Sequence, residues 1–154
     1  SRFYFTRPFL SNASHNFSFS GIKTAVLYSV RDPKTGELKP DAPVRADLAA
    51  SFQHAVVTWI VDKTLAACEL QNVTDVVVGG GVSANTYLRE ELNQQAAKQG
   101  IQVWFPPLAL TGDNGAMIAA AGYFLVHELG NRAYEMLETK ASLLLRETMT
   151  EIYA

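Results

Sequence analysis

Residues 76–90, VVVGGGVSANTYLRE, decide how the chain is read. Three β-branched residues make an apolar run of the kind found in strands buried on both faces, and beyond Ser83 apolar side chains recur at helical spacing. Between strand and helix stand Gly79, Gly80 and Gly81. Each glycine gives up side-chain packing and adds unfolded-state entropy, so a turn that only had to join two elements would use one. A strand's carboxyl end followed by glycines and a helix amino terminus puts bare backbone in the crevice where open α/β sheets bind ligands. Asn85, in the helix's first turn, can point its amide into the same crevice. The competing reading is a tight connection with Ser83 as N-cap. The spacing is not GxGxxG, which excludes the dinucleotide fingerprint.

Outward from this stretch, Ala84, Leu88, Leu92 and Ala96 recur every four residues until Gly100 closes the helix. Ile101, Val103 and Phe105 then alternate with Gln102 and Trp104, predicting a second strand that stops at Pro106-Pro107. The segment TGDNGAMIAAAGYFLVHE turns and enters a helix rich in small residues, expected to pack closely on neighbours. Strand, helix, strand, helix over residues 76–127 is a βαβα unit, which implies parallel strands and a right-handed crossover. Upstream, GIKTAVLYSV predicts a helix with Ile22, Val26 and Val30 on one face. Residues 31–44 are a loop of prolines, glycine and charges, and about Arg45 to Leu70 is a core helix whose expected stripe is Leu48, Phe52, Val56, Trp59, Ile60 and Ala67. Residues 131–154 read as a helical tail, with a last amphipathic helix over about Arg132 to Glu151. The fold class is α/β with additional helices.

A second candidate site is Thr111-Gly112-Asp113-Asn114-Gly115. Asp113 precedes a helix, where its carboxylate could cap free N–H groups or coordinate a cation; taken alone, the cap is the better reading. SGIKT is not a phosphate loop, because Ile22 rather than glycine precedes Lys23. Lys23 therefore reads as a helix-surface charge. His15, His54 and His127 lie far apart and never as HxxH or HxxxH, so no complete metal site or Ser-His-Asp set is legible. Asp62, Glu90 and Glu91 read as solvated helix faces.

Thirteen basic against fifteen acidic residues give a net charge of −2, so no broad basic face offers itself to nucleic acid. The single cysteine, Cys68, excludes an internal disulfide and fits a reducing compartment, cytoplasm or an organelle matrix. No run is apolar for long enough to span a bilayer, and no secretory leader is visible. The opening SRFYFTRPFL is strand-like and enters as if in mid-fold, so the chain is expected to be a piece of a longer protein.

FSFSGIKTAV, VVVGGGVSANTYLRE and PPLALTGDNGAMIAAAGY, in this order and spacing over about Phe17 to Tyr123, together resemble the C-terminal half of the TsaD family of tRNA threonylcarbamoyladenosine synthases. The resemblance implies a ribonuclease-H-like lobe of the two-lobed actin/Hsp70-like ATPase fold, with residues 1–154 as the C-terminal lobe and residues 1–16 continuing a missing N-terminal part. It implies that Gly79, Gly80 and Gly81 let the backbone approach the nucleoside of threonylcarbamoyl-AMP or ATP, that Asn85 contacts the substrate, and that Asp113 is a metal ligand. The metal, iron or zinc, would be shared with two histidines of an HxxxH motif absent from this chain. Implied partners are tRNA, TsaB- and TsaE-like subunits if the source is bacterial, and a possible homodimer. The implied reaction transfers the threonylcarbamoyl group to the adenosine beside the anticodon in tRNAs reading codons that begin with A. Without the first half, the chain alone is expected to be inactive; the competing expectation is a non-catalytic nucleotide-binding or dimerisation scaffold of the same fold.

Overall fold

The structure, a computed structural model, describes Phe5 and residues 17–40 and 45–135. The chain divides into two compact units, Ser1–Gly112 and Asp113–Ala154.

In the first unit, helix α1 (Ser20–Val30) is followed by α2 (Arg45–Gln71), strand β1 (Asp75–Val77), helix α3 (Thr86–Ala97) and strand β2 (Gln102–Trp104). β1 and β2 pair in parallel, Val76 opposite Val103 and Val77 opposite Trp104, so α3 is the crossover of a βαβ unit as its sequence pattern requires. Val78 N–H continues the ladder to the Trp104 carbonyl at 2.9 Å.

The core is built where α2, α3 and β2 meet. Val57, Val61 and Leu65 of α2, Leu88, Leu92 and Ala96 of α3, and Val103 form one buried cluster, with Val78, Ile101 and Phe105 packed against it. The buried side of α2 thus runs through Val57, Val61, Leu65 and Cys68. This corrects the expected stripe: Trp59 is buried, but Phe52 is exposed and Val56 and Ile60 lie at the margin. α2 is apolar on several sides, so spacing alone did not select the face. Among the described residues the sheet is likewise covered on one face only. Val77 is 81% exposed and Trp104 56%, against the expectation of a strand buried on both faces, because the alternation of a two-stranded sheet sends Asp75, Val77, Gln102 and Trp104 away from the helices. On that open face the Trp104 indole N–H donates to Asp75 Oδ1 at 3.1 Å.

α1 buries Ile22 as its pattern predicts, with Val26 and Val30 partly covered and Lys23 on the surface. The rings of Phe17 and Phe19 meet Trp59 edge-on, with centroids at 5.6 and 5.3 Å. The first part of the expected loop is an ordered turn: Arg31 bridges Leu38 in antiparallel fashion, Asp32 accepts from the Lys34 and Thr35 amides, and Gly36 takes a positive φ of 74°. Gly100, at φ 70°, ends α3 while Ile101 N–H returns to the Ala96 carbonyl at 3.0 Å.

The second unit contains α4 (Gly115–Leu129) and α5 (Arg132–Glu135) among the described residues; the expected helix beyond residue 135 lies outside them. α4 forms where its small-residue pattern places it, yet it buries none of its residues, and Ile118, Tyr123 and Phe124 are each about two-thirds exposed. Among the described residues the close packing expected of it is not seen.

Candidate functional site

The glycines follow β1 at the carboxyl end of the sheet, and all three are exposed. Gly80 has φ 83° and ψ 167°, a region that only glycine occupies without strain. Gly79 and Gly81 have no such backbone requirement. A Cβ built on any of the three meets nothing within 4 Å among the described residues. One glycine is thus explained by conformation, and two are left as bare surface that nothing among the described residues demands.

The helix does not begin directly after them. Gly81–Ala84 forms a 3-10 turn, closed by Ser83 N–H to the Gly80 carbonyl at 2.9 Å and Asn85 N–H to the Val82 carbonyl at 3.0 Å. Ser83 is therefore not the N-cap. Its side chain is 1% exposed, and its hydroxyl has no partner among the described residues. The cap is Asn85, whose Oδ1 accepts from Leu88 N–H at 3.0 Å. This bond fixes the amide: the oxygen serves the helix, and the Nδ2 group, unengaged among the described residues, is left as a donor beside the glycine turn. The expected helical repeat loses its first member here, since Ala84 sits in the 3-10 turn and is exposed.

Sequence reasoning missed Arg89. One turn after Asn85, its Nε donates to the Ser83 carbonyl, its Nη2 to the Pro106 carbonyl at 2.8 Å, and its guanidinium lies 4.7 Å from the centroid of the Phe105 ring. The available signal was a cation three and seven residues before Leu92 and Ala96, at the edge of the apolar face. Nearby, Tyr87 Oη and His54 Nδ1 are 2.8 Å apart and tie α3 to α2. Burial raises the Tyr87 phenol above its ordinary pKa, with the Glu91 carboxylate adding to the shift.

Asp113 belongs to the second unit and is exposed. The capping role expected of it is filled by its neighbour: Asn114 Oδ1 accepts from Met117 N–H at 3.0 Å. Among the described residues no group of three or more His, Cys, Asp or Glu side chains could enclose a metal ion. The structure thus brings Gly79, Gly80, Gly81 and Asn85 into one turn of the first unit. None of the described helices is long and apolar enough to cross a membrane.

The family model described as TsaD, tRNA N6-adenosine threonylcarbamoyltransferase, matches residues 1–120, a span that contains the whole glycine turn and Asp113. The chain belongs to the TsaD family. Among curated relatives, a tRNA N6-adenosine threonylcarbamoyltransferase of Thermosipho africanus is 48% identical over 124 residues, covering 80% of this chain and 36% of that protein. One from Chromobacterium violaceum is 46% identical over 121 residues, 79% of this chain and 36% of the relative. A third, from Symbiobacterium thermophilum, is 50% identical over 111 residues, 72% and 31% respectively. The chain therefore spans about a third of the length of the TsaD relatives it matches.

Proposed function

We propose that this chain is the part of a tRNA N6-adenosine threonylcarbamoyltransferase that carries the nucleoside-side wall of the site. The observation that supports it most directly is the pair Gly79 and Gly81, exposed and free of any conformational or packing need among the described residues. Such a surface admits a flat ring or ribose at van der Waals distance from the main chain, and Asn85 Nδ2 adds one donor to an acceptor of the nucleotide. The finer architecture that goes with this reading is a ribonuclease-H-like lobe of the actin/Hsp70-like ATPase fold, which accords with the parallel sheet and its crossover helix.

In the reaction, the exocyclic amine of a tRNA adenosine attacks the carbamoyl carbon of threonylcarbamoyl-AMP. The new C–N bond forms as the acyl–phosphate C–O bond breaks, AMP departs and the amine releases a proton. The contribution of this chain is positioning: glycine backbone and Asn85 hold the adenylate so that its acyl group is presented in one orientation. For a divalent metal the fit is partial. Asp113 is exposed and released from capping, so it can offer one carboxylate, but among the described residues no group of three or more His, Cys, Asp or Glu side chains forms that could enclose an ion. An iron or zinc site would need histidines from outside this chain; such an ion would supply charge stabilisation to the acyl group. tRNA, partner subunits and a second copy of the protein belong to the same reading, with tRNA gripped largely from outside this slightly acidic chain.

Titration of AMP into the chain, followed through backbone amide shifts, tests the proposal. Saturable shifts confined to residues 79–85 and their immediate neighbours are expected at millimolar AMP. No shifts there at millimolar AMP would overturn the site and favour a scaffold without nucleotide.

A further inference from the structure

We infer that Arg89 is a positioning residue that holds the glycine turn in its binding shape, an inference that rests on the nucleotide-site reading above. The turn leaves β1 through three residues without side chains, so it has little of its own to fix it. Two backbone carbonyls flank it: Ser83, inside the 3-10 turn, and Pro106, just past the end of β2. Arg89 reaches both from one guanidinium, donating through Nε and Nη2, while its central carbon lies over the Phe105 ring, 4.7 Å from the centroid. The fork is rigid and planar, so the two acceptors are held at one separation, and through Pro106 the turn is tied to the core strand. Because the arginine sits on α3 next to buried Leu88 and one turn from Leu92, its own backbone is anchored by the core.

Lysine cannot reproduce this. Its single ammonium on a flexible stem satisfies one carbonyl at a time and does not stack as a plane. The clamp therefore predicts a graded series, arginine above lysine above alanine, in the order of the turn rather than in global stability.

The experiment uses the 154-residue chain and its Arg89→Lys and Arg89→Ala variants, with amide hydrogen exchange measured first without nucleotide. Exchange at residues 82–85 is expected to rise about tenfold in Arg89→Ala, the scale of one hydrogen bond to a charged group, and less in Arg89→Lys, with Leu92 and Val103 unchanged. AMP affinity, read from amide shifts, is expected to fall about tenfold in Arg89→Ala at an unaltered melting midpoint. Unchanged exchange in the turn overturns the clamp. Faster exchange with unchanged AMP affinity overturns the positioning role. Failure of the unsubstituted chain to bind AMP overturns the nucleotide site instead, and the exchange data still decide whether Arg89 orders the turn. If Arg89→Ala fails to fold, Arg89→Lys gives the same comparison.

Discussion

At the scale of single residues, the three glycines are not equivalent. Gly80 answers to the backbone, since alanine at φ 83° and ψ 167° is strained by about 1–3 kcal/mol. Gly79 and Gly81 answer to nothing among the described residues: an added methyl group meets no atom of theirs within 4 Å and requires no positive φ. Gly79→Ala and Gly81→Ala are therefore expected to leave stability unchanged or raise it by about 0.4–1 kcal/mol through a less flexible unfolded chain. Both should nonetheless weaken AMP binding, while Gly80→Ala lowers the melting midpoint. Calorimetry paired with AMP titration checks all three; undiminished AMP affinity in the Gly79 and Gly81 variants would remove the reason for a ligand there. The sequence shows that these glycines are in excess, but not which one the backbone uses, because φ depends on where the 3-10 turn starts. The same turn moves the start of α3 past Ser83, so that its cap falls at Asn85. Asn85 rather than Ser83, and Asn114 rather than Asp113, present an oxygen to the N–H three residues on. Ser83 and Asp113 were each plausible by residue type alone.

At the scale of elements, the sequence pattern was most informative where periodicity and breakers agreed. α3 carries Leu88, Leu92 and Ala96 on one row and ends at a glycine with φ 70°, and both features were readable from the chain. α2 was readable as a helix but not by face, because Phe52 and Val56 are as apolar as the residues that are buried. The 31–40 segment shows the opposite failure. It has no hydrophobic period, yet Asp32 organises it by local bonds that periodicity does not detect. The amide N–H groups of Thr35 and Lys34, with Lys39 contributing by charge, lower the Asp32 pKa below its ordinary 3.8. A depressed folded value means that the carboxylate supports the turn above the unfolded pKa, and that this support is lost as pH falls through the folded value. Carboxyl carbon shifts of Asp32 should therefore give a midpoint below 3.8, and protection of the Lys34 and Thr35 amides should vanish over the same window. Asp32→Asn should remove that pH dependence, and an Asp32 midpoint above 3.8 would contradict the turn as described.

At the scale of the whole molecule, the distribution of buried area is uneven in a way the composition does not reveal. Every member of the main apolar cluster comes from α2, α3 or β2, all before Gly112. α4 is the more apolar helix to the eye but buries none of its residues. Burying a leucine or valine side chain stabilises by about 1.5–3 kcal/mol, so the first unit holds the larger share of the folding free energy among the described residues. Its glycine turn, Asn85 cap and Arg89 bonds also close within that unit. A chain shortened to Ser1–Gly112 is therefore expected to keep the parallel pairing of Val76 with Val103, to melt within about 5 °C of the longer chain, and to retain AMP-dependent shifts at residues 79–85. Such a chain lacks Asp113, the candidate metal ligand, so its nucleotide binding is tested apart from any metal binding. A shortened chain that unfolds, or that folds but no longer responds to AMP, would show that the turn depends on residues beyond Gly112 and that the site cannot be built from the first unit.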